Sequence, residues 1–184
     1  MPNQQSAESH SPQQQISKLL ILVRHAKSSW NHPHLNDFDR PLNPRGLQDA
    51  PEMGCRLASK YPTPDHFAAS PAVRAWSTAK ILAQAWNYPV DQIHPAAAAY
   101  EASPATLIKL VRQFPSTASA GAMAAHNPGI THVVNALAGS VTPNMPTCSV
   151  AVIRFAVDSW TDVREGEGEL VEYDFPKNQP RTEP

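Results

Sequence analysis

The chain has 184 residues, with 15 Lys and Arg against 16 Asp and Glu, and a formal charge of -1. No global field therefore draws it to nucleic acid or to an anionic membrane, and the length suits one domain with a single sizeable core. Two cysteines, Cys55 and Cys148, are too few for a disulfide framework and lack metal-ligand spacing. They read as small buried hydrophobes in a reducing cytoplasm.

Residues 1–17 are rich in Gln, Ser, Asn and Pro and hold no apolar core. They read as a disordered tail or an over-long start, neither a signal peptide nor a membrane span. No run elsewhere approaches the length that crosses a bilayer. Leu19 to Val23, "LLILV", is short, unbroken and partly β-branched, as a strand buried on both faces reads. It ends abruptly in Arg24-His25. "NHPHLNDFDRPLNPRG" follows as a polar, Pro-rich loop of a length that is usually functional or disordered. Its His32 and His34 lack a third spaced ligand and read as exposed loop histidines. In "LNPRGLQDAPEMGCRLASKY", Leu47, Ala50, Met53, Leu57 and Ala58 recur at helical spacing, with Asn43 or Pro44 at the start. Pro51 predicts an early kink or a late start.

"DHFAASP" reads as a second strand. Ser70 as N-cap and Pro71 at the first helical position predict a helix over "SPAVRAWSTAKILAQAW", packing through Ala75, Thr78, Ala79 and Leu82. Trp76 and Trp86 read as packing residues. "YPVDQIHPAAAAYEAS" is a connection, and "SPATLIKLVRQF" repeats the Ser-Pro helix start. "SAGAMAAHNPG" is a third strand with a loop at its end. "ITHVVNALAG" is a helix running into Gly139, with His132 facing outward or satisfied in the core. "CSVAVIRFAV" and "GELVEYDF" are later strands joined as a hairpin around "REGEG". The expected domain is 18–175, with 176–184 a loose tail. Alternating strands and helices point to an α/β sheet covered by helices on both faces.

If the first three strands are parallel neighbours, their ends bring Arg24, His25, Arg74 and His126 to one edge of the sheet, where ligands of such sheets bind. Two guanidiniums with paired donors and two imidazoles suit a phosphoryl group. Helix N-termini after Ser70 and after "HNPG" aim free N–H groups into the same region. A neutral imidazole is a good nucleophile, and adjacent arginines depress its pKa by charge repulsion. In-line attack on phosphorus would give a phosphohistidine, later hydrolysed by water. The cations would stabilise the transferring oxygens without a metal or other cofactor.

"RHA" at a strand end, "DFDRPLNPRG", "SPAVRAWSTA" and "HNPG", in this order and spacing, resemble the histidine phosphatase (phosphoglycerate mutase-like) superfamily. The nearest resemblance is to its short SixA-type phosphohistidine phosphatases, from about Lys18 to Phe155. The resemblance implies a three-layer α/β/α sandwich with a mostly parallel central sheet. It implies His25 as the phosphate-accepting nucleophile, Arg24 and Arg74 as phosphate clamps, and His126 as a further phosphate ligand. Ala26 and Ala125 stand where many members carry glycine. Larger relatives place a glutamate acid beyond the second arginine, for which Glu101 is the candidate; SixA-type relatives manage without a strong acid there. Arg40 reads as a third phosphate ligand or as the partner of Asp37 or Asp39, and the resemblance favours the first. Lys27, Ser28 and Ser29 either donate to phosphate or form a solvated turn. Asn127 shapes the loop carrying His126 or touches substrate.

The resulting expectation is a cytoplasmic, metal-independent phosphatase. Its substrate is phosphohistidine on a signalling protein, such as a phosphotransfer domain, or a small phosphomonoester. The contrasting possibility is a phosphate-binding module without catalysis.

Overall fold

The apolar runs assemble into one six-stranded sheet in a computed structural model that describes residues 17–139 and 142–178. The strands are β1 (Lys18–Arg24), β2 (His66–Ala69), β3 (His94–Pro95), β4 (Ala120–Ala125), β5 (Val150–Phe155) and β6 (Glu169–Asp174). Their order across the sheet is β3-β2-β4-β1-β5-β6. The pairings β3–β2, β2–β4 and β4–β1 are parallel, whereas β5 and β6 run antiparallel. The helices are α1 (Pro44–Lys60), α2 (Val73–Ala85), α3 (Pro104–Arg112) and α4 (Gly129–Ala138).

Strand β1 shows why its sequence is continuously apolar. Leu20 and Leu22 enter a core with Leu107, Ile108 and Val111 of α3 and Ile130, Val133 and Leu137 of α4. Ile21 and Val23 enter the opposite core, with Met53 and Leu57 of α1 and Ala79 and Leu82 of α2. Alternate residues point to opposite faces, so a strand with helices on both sides has no polar face. The result is the expected three-layer α/β/α sandwich. Among the described residues, no helix is long and apolar enough to cross a membrane.

Several local readings change. Helix α1 runs unbroken through Pro51, with Asn43 as its N-cap accepting from Gly46 N–H. Pro51 lies on the exposed face, so the Leu47 carbonyl that loses its donor has access to water. Leu47 is itself exposed and stands off the packing face that Ala50, Met53 and Leu57 form. Helix α2 begins at Val73 with no side-chain cap; Ser70 is committed elsewhere, and the Val73 N–H donates to the Phe38 carbonyl instead. Ser103 does cap α3, accepting from Thr106 N–H. β5 and β6 are antiparallel neighbours, but 156–168 is no tight hairpin. It dips Trp160 into the core, where the indole donates to Ala118 O at 2.8 Å. Cys148 is buried as read, whereas Cys55 is exposed. The segments 1–16 and 179–184 lie outside the described residues. At the start of the C-terminal segment read as a tail, the Pro176 carbonyl accepts from Arg56.

Candidate active site

Strands β1, β2 and β4 end side by side, and the next residues carry the chemistry. His25 follows β1 and His126 follows β4, with ring centroids 5.0 Å apart. The His25 backbone is clamped on two sides: its N–H donates to Ala125 O and its carbonyl accepts from Cys148 N–H. Its Nδ1 sits 2.7 Å from the Ala26 carbonyl. A carbonyl only accepts, so the proton resides on Nδ1 and Nε2 is unprotonated, with a lone pair that can accept. Nε2 in turn accepts from Arg74 Nε at 3.3 Å. Ala26 is held by its N–H on Thr78 Oγ1, and that hydroxyl donates to Arg74 O, which couples the His25 loop to α2.

Arg24 closes another side. It donates to the Met145 carbonyl, while its buried Nε has no partner among the described residues. His126 Nε2 lies 2.8 Å from Ser70 Oγ, and its buried Nδ1 is likewise unpartnered. Thus the four residues singled out at the strand ends do share one region of the fold.

Electrostatics keep both imidazoles neutral. Burial pushes His25 down to about 3, aided by the charges of His126, Arg74 and Arg24 and opposed by the Ala26 hydrogen bond. The expected depression is present, but removal from water outweighs the arginines as its cause. His126 falls to about 4, first through burial and then through Arg74, with Asp37 opposing.

One residue that sequence reading left as a mere partner organises the rest. Asp37 Oδ1 accepts from Arg40 at 2.8 Å, and Oδ2 accepts from Arg74 at 2.8 Å and from Tyr100 OH at 3.0 Å. Its carbonyl also accepts from Arg74. Burial alone would raise its pKa, but these donors and the Arg74 charge hold it at about 2. Asp37, Tyr100, Ser70 and Met145 were not legible as site residues. Each acts through a long-range hydrogen bond that no local motif encodes.

The remaining candidates fall into two groups. Arg40 joins the Asp37 network, donates to Ser28 Oγ and Ser29 O, and stacks on exposed Trp30 with its guanidinium carbon 3.2 Å from the ring centre. Lys27 lies half-buried in the turn after His25, its carbonyl accepting from Asn43 N–H. Asn127 is occupied with the 142–148 loop: its amide donates to Asn144 and to Met145 O and accepts from Thr131. It therefore braces the loop that holds Arg24. Glu101, exposed and at φ 47°, lines a cleft of about 400 Å³ with His126, Ser103, Pro128 and His132. His32, His34 and His132 are exposed. Trp86 is buried and Trp76 partly buried against the core of α1 and α2. Among the described residues, no group of three His, Cys, Asp or Glu could hold a metal ion.

Comparison with known proteins agrees with this fold. Residues 20–95 match the histidine phosphatase superfamily (branch 1). An uncharacterized protein of Mycobacterium leprae, ML1117, is 30% identical over 167 residues, covering 84% of this chain and 100% of its own length. A chain from Agrobacterium tumefaciens, provisionally named a phosphohistidine phosphatase SixA, superposes with a TM-score of 0.73 at 24% identity, covering 85% of this chain and 96% of that one. The protein histidine phosphatase SixA complexed with tungstate superposes with a TM-score of 0.69 at 19% identity, covering 86% and 97%. These structures have the same fold. The chain belongs to branch 1 of the histidine phosphatase superfamily and is a hydrolase of the phosphatase class.

Proposed function

We propose that the chain is a SixA-type phosphohistidine phosphatase acting through a phosphoryl intermediate on His25, with no metal taking part. The observation that carries this reading is the Nε2 lone pair of a buried, neutral imidazole, set between Arg74 and His126. The similar SixA structure is a complex with tungstate, an oxyanion of phosphate-like shape and charge. In this site such a group would meet Arg24, Arg74 and His126 beside the nucleophile. Ser70 Oγ accepts from Ala72 N–H at 3.4 Å and can donate to His126 Nε2, leaving an Nδ1–H to point at a phosphoryl oxygen.

The His25 Nε2 lone pair forms a bond to phosphorus as the P–N bond to the substrate imidazole breaks. That electron pair returns to the departing ring. Water then forms a P–O bond, the P–Nε2 bond breaks, and a water proton passes to solvent. The guanidiniums and His126 stabilise the equatorial oxygens in both steps. In this reading Lys27 and Ser28, in the segment after His25, donate to the same group. An imidazole protonated on its second nitrogen leaves without a donated proton, which suits an exposed Glu101.

The substrate in this reading is phosphohistidine on a protein such as a phosphotransfer domain, in a cytoplasmic setting. A second reading, a small-molecule phosphomonoesterase, is favoured by Glu101 sharing a cleft with His126, where it could protonate an alkoxide. The test is turnover of an aryl phosphate and of a phosphohistidine protein in EDTA. The wild type should hydrolyse both, and His25→Ala should lose at least about a thousandfold. Activity that survives in His25→Ala, or that needs added metal, overturns the mechanism. Phosphate binding without turnover makes the chain a binding module.

A further inference from the structure

We propose that Asp37 is a positioning residue for phosphoryl transfer, holding the Arg74 guanidinium beside His25 Nε2, where the phosphoryl group arrives and takes over the Arg74 donors. This rests on the reading of His25 as nucleophile and adds to it a residue from the long loop before α1.

A guanidinium is planar, and three anchors in one plane fix both its position and its tilt. Arg74 has three such anchors: Nε on His25 at 3.3 Å, one terminal nitrogen on the Asp37 carbonyl, and the other on Asp37 Oδ2 at 2.8 Å. Two of the three belong to Asp37. One N–H on each terminal nitrogen remains for phosphoryl oxygens. The carboxylate is itself held by Arg40 of the same loop at 2.8 Å and by Tyr100, distant in sequence, at 3.0 Å. Phe38, the next residue, accepts from Val73 N–H at 3.0 Å and packs its ring 5.1 Å from that of Tyr100. The loop is thereby fastened to the start of the helix that carries Arg74.

This role has a signature that simple damage lacks. Asp37 is the shared counter-ion of Arg40 and Arg74. Removing its charge leaves two guanidiniums less neutralised, so attraction for an anion is kept or strengthened while the aim of Arg74 is lost. Turnover and anion affinity must then part company.

The experiment compares the wild type with Asp37→Asn and Tyr100→Phe, measuring kcat on an aryl phosphate, inhibition by inorganic phosphate and thermal unfolding. Asp37→Asn should lower kcat at least tenfold while the phosphate inhibition constant stays within twofold or tightens. Tyr100→Phe, which removes one hydrogen bond from the same carboxylate, should show the same split more weakly. If Asp37→Asn does not fold, Tyr100→Phe decides alone. A folded Asp37→Asn with kcat within twofold of wild type overturns the proposal, as does a parallel loss of kcat and phosphate affinity. A wild type whose activity survives His25→Ala fails the nucleophile reading instead, and the two failures are thus distinguishable.

Discussion

A ring nitrogen attacks phosphorus only while it is unprotonated and its hydrogen-bond donor can give way to the incoming group. In His25 the Ala26 carbonyl accepts from Nδ1–H, and burial keeps a second proton from Nε2. The acid side of the reaction is less built. Glu101 stands on an exposed rim, in a left-handed conformation, along the cleft that His126 also lines. If the leaving group occupies that cleft, the carboxyl is its candidate proton donor. Glu101→Gln is therefore expected to slow alkyl phosphates at least about tenfold, because an alkoxide needs a proton, and to leave phosphohistidine within about twofold. Steady-state kinetics on the two substrate types checks this. Equal slowing of both, or none, removes Glu101 from the chemistry.

At the scale of elements, five of the six strands and the helix starts on Asn43 and Ser103 were legible, because periodicity and capping are local; β3, two residues inside the segment read as a connection, is too short to show a period. The start of α2 was not. Ser70 has an N-cap's chemistry, but it faces a buried imidazole from β4 that competes for its hydroxyl. The four residues singled out were legible because parallel strands put their ends together and because their motifs are recognisable, whereas the wider role of Asp37 was not, since beyond Arg40 its partners Arg74 and Tyr100 lie on distant segments. Close approach between elements is equally invisible in sequence. A Cβ on Gly46 would overlap the carbonyl of Lys27, two residues beyond His25. Gly46→Ala should thus push the start of α1 off the turn after His25, costing about 1–3 kcal/mol and much of the activity. Gly139 gives the control: its φ is 59° with nothing near a Cβ, so Gly139→Ala should cost about 1 kcal/mol with activity kept. Urea unfolding with parallel assays checks both. A Gly46→Ala protein as active as wild type would show that the close contact is not needed to place His25.

For the whole molecule, burying two neutral imidazoles ties stability to pH. The unfolded chain protonates them near 6.5, whereas the folded protein resists to about 3 at His25 and about 4 at His126. Between those limits the unfolded state binds more protons, so stability must fall as pH falls. It is complete above about 6.5 and lost progressively toward 3. His66, lowered by burial and by neighbouring His94, adds in the same direction. Asp37 adds a lower window, between the ordinary carboxylate value of 3.8 and about 2. A tenfold change in proton affinity on folding is worth about 1.4 kcal/mol, so the two histidines withdraw several kcal/mol across the upper window. The urea midpoint should accordingly drop steeply from pH 6.5 to pH 4, and a His25→Ala/His126→Ala protein should show a much shallower slope. NMR titration should find both imidazoles neutral at pH 5 in the folded wild type. Inorganic phosphate opposes the loss, since a bound anion favours the folded state and the charged imidazoles alike. A wild-type midpoint flat between pH 6.5 and pH 4, or either ring protonated at pH 5 without an anion, would mean that the site is open to water and that burial does not hold the nucleophile ready.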